Sequence, residues 1–369
     1  MYKVGITGQQ GFLGSHLFNF LGLKDDIELI PSEKTMFGNE DHLLSFVQQC
    51  DVIVHLAAMN RHDDAHVIHD TNVSLVEKLI QTCKKGYINP TILFSSSTQE
   101  NLDNLYGLSK KRGGAMLEEW ANTSGARIVN MVIPNVFGPF GKPKYNSVIA
   151  TFCHAITRGE TPTIINDSEV KMIYINELTA HIYQYITTNV NGKIIVPHYH
   201  ELKVSTLLEK LLYFKKIYMD EKSFPSISDA TDLALFNTFR CYIPEDFFPI
   251  KFKNNIDDRG NFVEIARTHS NGQFSFSTTV PGVTRGNHFH TRKAERFAVI
   301  KGKASIKLRK VDQAEVVEYV LDGKEPSYVD MPIWYTHNIT NIGNDELLTL
   351  FWINEPYNSE DPDTYFVNV

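Results

Sequence analysis

What this 369-residue sequence lacks narrows it first. No run of about 18 apolar residues occurs, which excludes a transmembrane helix. The cysteines Cys50, Cys83, Cys153 and Cys241 are scattered, with no CxxC pair. Neither a disulfide framework nor a thiolate metal site is therefore expected, and a reducing compartment suits them. Basic residues are not in excess: the formal net charge is -7, which speaks against general affinity for nucleic acid or for an anionic membrane. No charged segment with a short apolar run precedes the opening MYKVGITG, so a cytoplasmic protein is expected. Internal repeats and low-complexity stretches are also missing. With 42% hydrophobic and 21% charged residues the composition is that of globular domains.

At roughly 100–200 residues per domain, the length calls for two. The first half alternates apolar strand-like runs with helical patterns: YKVGIT then FLGSHLFNFLG, IELIP then EDHLLSFVQQC, DVIVHLAA then TNVSLVEKLIQTCKK, PTILFSSS then SKKRGGAMLEEWANTSG. Such alternation predicts an α/β fold, a Rossmann-type doubly wound parallel sheet, its strands continuously apolar because both faces are buried. From about Phe247 the helical period disappears. Short strands with turn residues take over, which predicts an all-β sandwich or barrel. The expected division is residues 1–243 and 247–369.

Thr7-Gly8-Gln9-Gln10-Gly11-Phe12-Leu13-Gly14 follows the first strand and opens the first helix. Gly8 and Gly11 permit a tight turn that lets backbone approach a pyrophosphate, and Gly14 permits close helix–strand packing. The expected cofactor contacts are Thr7, Gly8, Gln10, Gly11, Phe12, Leu13 and Gly14. Leu56, Ala57 and Ala58, small or apolar residues closing a strand's carboxyl end, leave room for a ligand there. Beyond the second strand no acidic residue immediately follows to hold a ribose 2′-hydroxyl. Ser32 and Lys34 suit a 2′-phosphate instead, which favours NADPH; Glu33 keeps NAD open. Ser97 ends a serine-rich strand, and Tyr106 and Lys110 stand at i and i+4 on one helix face. A lysine ammonium beside a phenol is expected to lower its pKa and suit it as a proton donor to a carbonyl oxygen. His55 reads as a core histidine, and His62, His66 and His69 as a solvated helix face.

With these motifs, and with Pro134-Asn135-Val136-Phe137-Gly138-Pro139, residues 1 to about 242 resemble an extended short-chain dehydrogenase/reductase of the nucleotide-sugar kind. The resemblance implies a hydride donor at the glycine turn. Ser97 and Tyr106 would hold the carbonyl oxygen, Tyr106 and Lys110 would also touch the cofactor, and Asn135 would sit near the substrate. The segment from Glu33 to Cys50 is short for that family.

In the second half His288-x-His290, then Glu295, then the distant His337 form the sharpest pattern. Residues i and i+2 of a strand share a face, so the two histidines can reach one ion, joined by the carboxylate and the third imidazole. Three imidazoles and a carboxylate suit Zn, Fe, Ni, Mn or Co, and do not suit Ca or Mg. The spacing resembles the cupin (jelly-roll) signature, with Trp334 where glycine is usual. Asp257–Glu264 and Thr284–His288 are similar to the dTDP-4-dehydrorhamnose 3,5-epimerase group. That likeness implies contacts from Arg259, Glu264 and Arg285 to a nucleotide diphosphate-sugar. The residue matching that group's catalytic histidine is His288, here a metal ligand, so the epimerase base is not transferred; Tyr328, Tyr335 and Lys293 lie nearby in sequence.

Both halves, in this order, resemble a two-domain family of bacterial capsular-polysaccharide enzymes. The resemblance implies a UDP-4-keto-6-deoxy-HexNAc substrate, C3 epimerisation, and reduction of the C4 ketone by NADPH. The product would be UDP-2-acetamido-2,6-dideoxy-talose, on the route to UDP-N-acetylfucosamine. It also implies zinc and a homodimer, with no nucleic-acid or membrane partner. The alternatives are a reductase fused to an Fe(II) cupin dioxygenase, a non-catalytic sugar-binding cupin, or an NADP-sensing module.

Overall fold

A computed structural model describes residues 1–227, 229–252, 255–257, 260–262, 266, 272–355 and 358–369. The chain divides into two compact units. The first comprises Met1–Phe137, Gly141–Val148 and Ser168–Lys203. Its strands are β1 (Tyr2–Thr7), β2 (Ile27–Ile30), β3 (Val52–His55), β4 (Thr91–Ser97), β5 (Ile128–Ile133), β6 (Asn135–Phe137), β7 (Glu169–Tyr174), β8 (Gly192–Ile195) and β9 (His200–Lys203). Its helices are α1 (Phe12–Leu21), α2 (Glu40–Gln49), α3 (Ala65–Gly86) and α4 (Leu105–Ser124); α5 (Val148–Ile156) leads into the second unit and α6 (Ile175–Thr187) returns to the first.

Six parallel strands form one sheet in the order β2-β1-β3-β4-β5-β8, as the alternating pattern predicts. The chain leaves β1 toward β2 and comes back across it to β3, so the winding reverses between β1 and β3. Ligands of open α/β sheets bind outside the carboxyl ends of strands at such a point. Here those ends are Thr7–Gly8 and His55–Ala57. Ile53, Ile92, Phe94 and Ile128 of the sheet pack with Val47, Leu79, Leu117 and Trp120 of the helices in one buried cluster. A smaller sheet, β6-β7-β9, carries Asn135.

The second unit holds α7 (Val204–Phe214), α8 (Ala230–Arg240) and β10 (Ile250–Lys251), β11 (Asn255–Asp257), β12 (Gly260–Phe262), β13 (Gln273–Thr279), β14 (Thr284–Phe289), β15 (Glu295–Lys301), β16 (Lys303–Lys310), β17 (Val316–Asp322), β18 (Ser327–Met331), β19 (Tyr335–Asn341), β20 (Leu347–Ile353) and β21 (Tyr365–Phe366). Antiparallel pairing builds two five-stranded sheets, β10-β18-β15-β20-β13 and β17-β16-β19-β14-β21, a cupin-like pair. Val299, Val329 and Met331 of one meet Ala304, Ile306 and Ile339 of the other in a common core.

The compact units part elsewhere than the expected boundary at 243–247. Residues 149–167 and 204–246 belong with the β-sandwich. The reason is aromatic and ionic packing: Phe224 lies 3.9 Å, ring centre to ring centre, from Trp352, and the buried Tyr218 hydroxyl donates to Asp330. Asp330 also takes a bidentate pair from the buried Arg296, at 2.8 and 3.0 Å. Among the described residues no helix is long and apolar enough to cross a membrane.

Candidate active site and metal centre

At the carboxyl end of β1, Gly8 has φ +74°, and a Cβ there would stand 2.9 Å from the Ala57 backbone. A Cβ on Gly14 would collide with the Gly8 carbonyl. The turn is thus pressed between the β3 end and the first turn of α1, in a conformation only glycine adopts without strain. Gly11 precedes α1 in extended geometry, and no side chain caps that helix end. Its first N–H groups suit a pyrophosphate, which is what a dinucleotide requires of this place. Thr7 Oγ1 accepts from the Ala57 N–H (3.2 Å) and shares a 2.7 Å hydrogen bond with the buried His55 ring. Burial, then the Lys110 charge, pushes His55 down to about 3, so it is a neutral core residue. Ser32 departs from its expected role: its hydroxyl donates to the Ile6 carbonyl and its N–H to Gln9. Lys34 stays exposed beside it.

Ser97 closes β4 and caps the following 3-10 turn, Thr98–Asn101, its hydroxyl oxygen accepting from the Gln99 N–H at 3.2 Å. The hydroxyl proton remains available for donation. The turn also positions Tyr106: a Cβ on Gly107 would collide with the Gln99 carbonyl, so the first turn of α4 is seated directly on it. Lys110 is buried; its ammonium donates to Ser95 Oγ (3.4 Å), which donates to the His55 carbonyl (3.1 Å). It lies over the Phe94 and Tyr106 rings at 5.2 and 5.9 Å. The expected depression of the tyrosine pKa is not found. Burial, assisted by Tyr145, pushes the Tyr106 phenol up to about 12, and burial pushes Lys110 down to about 8. Lost hydration outweighs their mutual attraction, because the ammonium sits over the ring face and bonds to Ser95. Asn135 is exposed and donates to the Lys171 carbonyl at 3.3 Å.

In the second unit the predicted ligands converge. His288 and His290 flank the end of β14, Glu295 opens β15 in the other sheet, and His337 lies on β19 directly opposite His288. Their ligand atoms all lie within 4.8 Å of one another. A bulge at Gly286 (φ +99°) and Asn287 (φ +60°) turns β14 so that both histidines reach the cluster. Gly286 is needed there because a Cβ would stand 2.8 Å from the His337 carbonyl.

The imidazoles are held in ligating tautomers. His290 Nδ1 donates to the Asp363 carbonyl and His337 Nδ1 to the Tyr335 carbonyl, which leaves each Nε2 lone pair facing inward. His290 Nε2, His337 Nε2 and Glu295 Oε2 are buried and accept or donate no hydrogen bond. They lie 2.8 and 3.4 Å apart across the carboxylate. Orphaned buried polar atoms are rare in native structures, and three converging on one point are what a cation requires. Burial opposes the Glu295 charge, but His290 and His337 overcome it and hold the carboxyl far below its usual range. Burial, then His337 and His290, pushes His288 down to about 4. The Glu295 charge in turn pulls His290 upward against its burial; a neutral His288 and an ionised Glu295 are the protonation states that ligands take. His62, His66 and His69 form no such group among the described residues.

Arg285 is turned toward β13, donating to Thr279 Oγ1 (3.0 Å) and to the Thr278 carbonyl (3.1 Å). Arg259 and Glu264 lie outside the described residues. Of the candidate proton carriers, the buried Tyr328 packs its ring 3.7 Å from the Arg296 guanidinium, and Lys293 donates to the Pro362 carbonyl. Burial pushes Tyr335 up to about 12.

Residues 4–196 match the model of the NAD dependent epimerase/dehydratase family. The chain belongs to that family. Residues 255–365 of this epimerase/dehydratase family member match the polysaccharide biosynthesis C-terminal domain. The chain is 34% identical over 375 residues to the UDP-2-acetamido-2,6-beta-L-arabino-hexul-4-ose reductase of Pseudomonas aeruginosa, covering 100% of this chain and 99% of that one. It is similar throughout to the capsular polysaccharide assembling protein CapF of Staphylococcus aureus, with TM-score 0.64, 34% identity and 100% of both chains covered. A second CapF structure, with the inhibitor 3-isopropenyl-tropolone, matches at TM-score 0.60 and 32% identity, again over 100% of both chains.

Ser95, Asn72 and Asp363 escaped the sequence reading. Ser95 was hidden among three serines, whose alternation on β4 gives Ser95 and Ser97 one face and Ser96 the other. Asn72 fixes the segment after β3 by accepting from the Met59 N–H (2.7 Å) and donating to Ser109 (3.0 Å). Nothing local marks Asp363.

Proposed function

We propose that this chain is a bifunctional nucleotide-sugar enzyme. Its β-sandwich unit epimerises C3 of a UDP-4-keto-6-deoxy-HexNAc, and its α/β unit reduces the C4 ketone with NADPH. The product is UDP-2-acetamido-2,6-dideoxy-talose, a precursor of capsular polysaccharide. What carries the reading is the four-ligand cluster with its orphaned atoms, in a chain alike from end to end to a hexulose reductase and to CapF.

A nicotinamide held at the Gly8–Gly14 turn would supply the hydride. Tyr106, a neutral phenol below about pH 12, keeps the proton that the C4 oxygen must receive as hydride arrives. Ser97 donates its hydroxyl proton to the same oxygen while its own oxygen accepts from the Gln99 N–H. Lys110 then faces a new phenolate and, as the cation, favours it.

His288, His290, Glu295 and His337 would hold a divalent ion, zinc in this reading. Such an ion supplies Lewis-acid polarisation of the ketone. The order is fixed by chemistry: proton removal at C3 needs the C4 ketone, so epimerisation precedes reduction. Arg259, Glu264 and Arg285 are assigned to the nucleotide diphosphate-sugar, and Asn135 to the substrate of the reductase. The enzyme acts as a homodimer in the cytoplasm.

Incubation with a UDP-4-keto-6-deoxy-HexNAc in D2O separates the steps. Deuterium should enter at C3 without NADPH, and an alcohol should form only with it. Tyr106→Phe should lower reduction about 100-fold or more while leaving deuterium exchange intact. Oxygen consumption in place of exchange would instead establish a dioxygenase.

A further inference from the structure

Asp363 stands in the last dozen residues of the chain, 73 positions from His290, yet it is 1% exposed and its backbone is left-handed at φ +41°. Non-glycine residues tolerate that region poorly, aspartate and asparagine best, and they keep it where surroundings over-determine it. The surroundings here are the loop between two ligands. Asp363 Oδ1 accepts from Thr291 N–H (3.1 Å) and Thr291 Oγ1 (2.7 Å). Oδ2 accepts from the N–H groups of Arg292 (3.1 Å) and Lys293 (3.2 Å). The carboxylate therefore holds Thr291, Arg292 and Lys293, three of the four residues between His290 and Glu295, while the fourth, Ala294, is held by Asn354. The carbonyl of the same residue takes the His290 Nδ1 proton. Beyond it, β21 pairs with β14, setting Phe366 opposite His288.

We propose that Asp363 is the positioning residue of the metal centre, its carbonyl fixing the His290 tautomer and ring plane and its carboxylate fixing the spacing from His290 to Glu295. The inference rests on the four residues being a metal centre. Two ligands are set by one side chain and its own backbone, so a loss at Asp363 loosens the ion without removing a ligand. Outer partners of metal-binding histidines commonly carry 10- to 100-fold in affinity.

The test is zinc binding, measured by chelator competition on the full-length enzyme after metal removal, beside the thermal midpoint of the metal-free form. Asp363→Ala should weaken zinc about 10- to 100-fold. Asp363→Asn retains one acceptor oxygen and should fall between; it also serves if the alanine variant does not fold. NADPH reduction of a ketone substrate should persist in both. A merely structural role would lower the metal-free midpoint and leave zinc affinity unchanged in the folded variants, and that result overturns the proposal. Failure of the parent enzyme to take up one zinc overturns the metal-centre reading itself, a separate outcome.

Discussion

At the scale of the residue, burial decides the charge states of Tyr106 and Lys110. Lys110 has its pKa lowered to about 8, which means the folded chain resists its proton. Between about pH 8 and the unfolded value of 10.5 the unfolded chain binds a proton that the folded chain lacks, so stability rises with pH across that window. Below about pH 8 both forms are protonated and the full penalty of the buried charge stands. The shift corresponds to about 3 kcal/mol, against which the ammonium's hydrogen bond to Ser95 returns about 1 kcal/mol. Lys110→Met, similar in length and uncharged, should therefore stabilise the α/β unit by about 1–3 kcal/mol at pH 7. The gain should shrink toward pH 10, while reduction is lost. Urea unfolding at pH 7, 8.5 and 10 checks this; a variant less stable than the parent at pH 7, with a difference indifferent to pH, would contradict it.

At the scale of the element, the turn before β19 shows how a departure from a motif is accommodated. Trp334 stands where glycine is usual and takes the glycine conformation, φ +60°. Its N–H donates to the His290 carbonyl at 2.8 Å, and its buried ring stacks on Phe289 at 5.3 Å. Strain of about 1–3 kcal/mol is the cost of the conformation, and loss of a buried tryptophan costs about 3–5 kcal/mol. Trp334→Gly should thus destabilise the sandwich by about 2 kcal/mol even though it relieves strain. Because the backbone N–H to His290 survives, zinc stoichiometry should be kept. Calorimetry with metal analysis tests both halves; a raised midpoint would show that the stack contributes less than the strain costs. Elements like these mark the limit of what the sequence reveals. The glycine turn, the tyrosine–lysine helix face and the His288–His290 strand are short-range patterns, and each was legible as spacing. The opposition of Lys110 to its own charge was not, since it depends on how completely Phe94 and Ser95 of β4 and the Tyr106 ring cover the lysine. Asp363 was not legible either, because its partners lie 70 to 73 positions away.

At the scale of the whole molecule, the same limit explains why the compact units do not part where the texture changes. Texture changes near Phe247, where helices stop, but compactness follows contacts. The helical segment before that point is closed by residues of the sandwich. Tyr218, Phe224 and Phe236 are at most 1% exposed. Tyr218 donates to Asp330, Phe224 meets Trp352, and Arg240 donates to the Met331 carbonyl at 3.2 Å. A fragment ending at Ile243 would strip these partners away, exposing apolar side chains worth about 1.5–3 kcal/mol each and leaving the buried Arg240 guanidinium without its acceptor on β18. Cutting by texture should therefore yield a fragment that aggregates or melts well below the parent, despite carrying every residue of the glycine turn and of the tyrosine–lysine face. Size-exclusion chromatography and thermal unfolding of residues 1–243, with and without NADPH, decide the point. A monodisperse fragment that binds NADPH and melts with the parent would mean that the 204–243 segment is stable without the sandwich, and that the division of labour between the two chemistries follows the change in sequence texture after all.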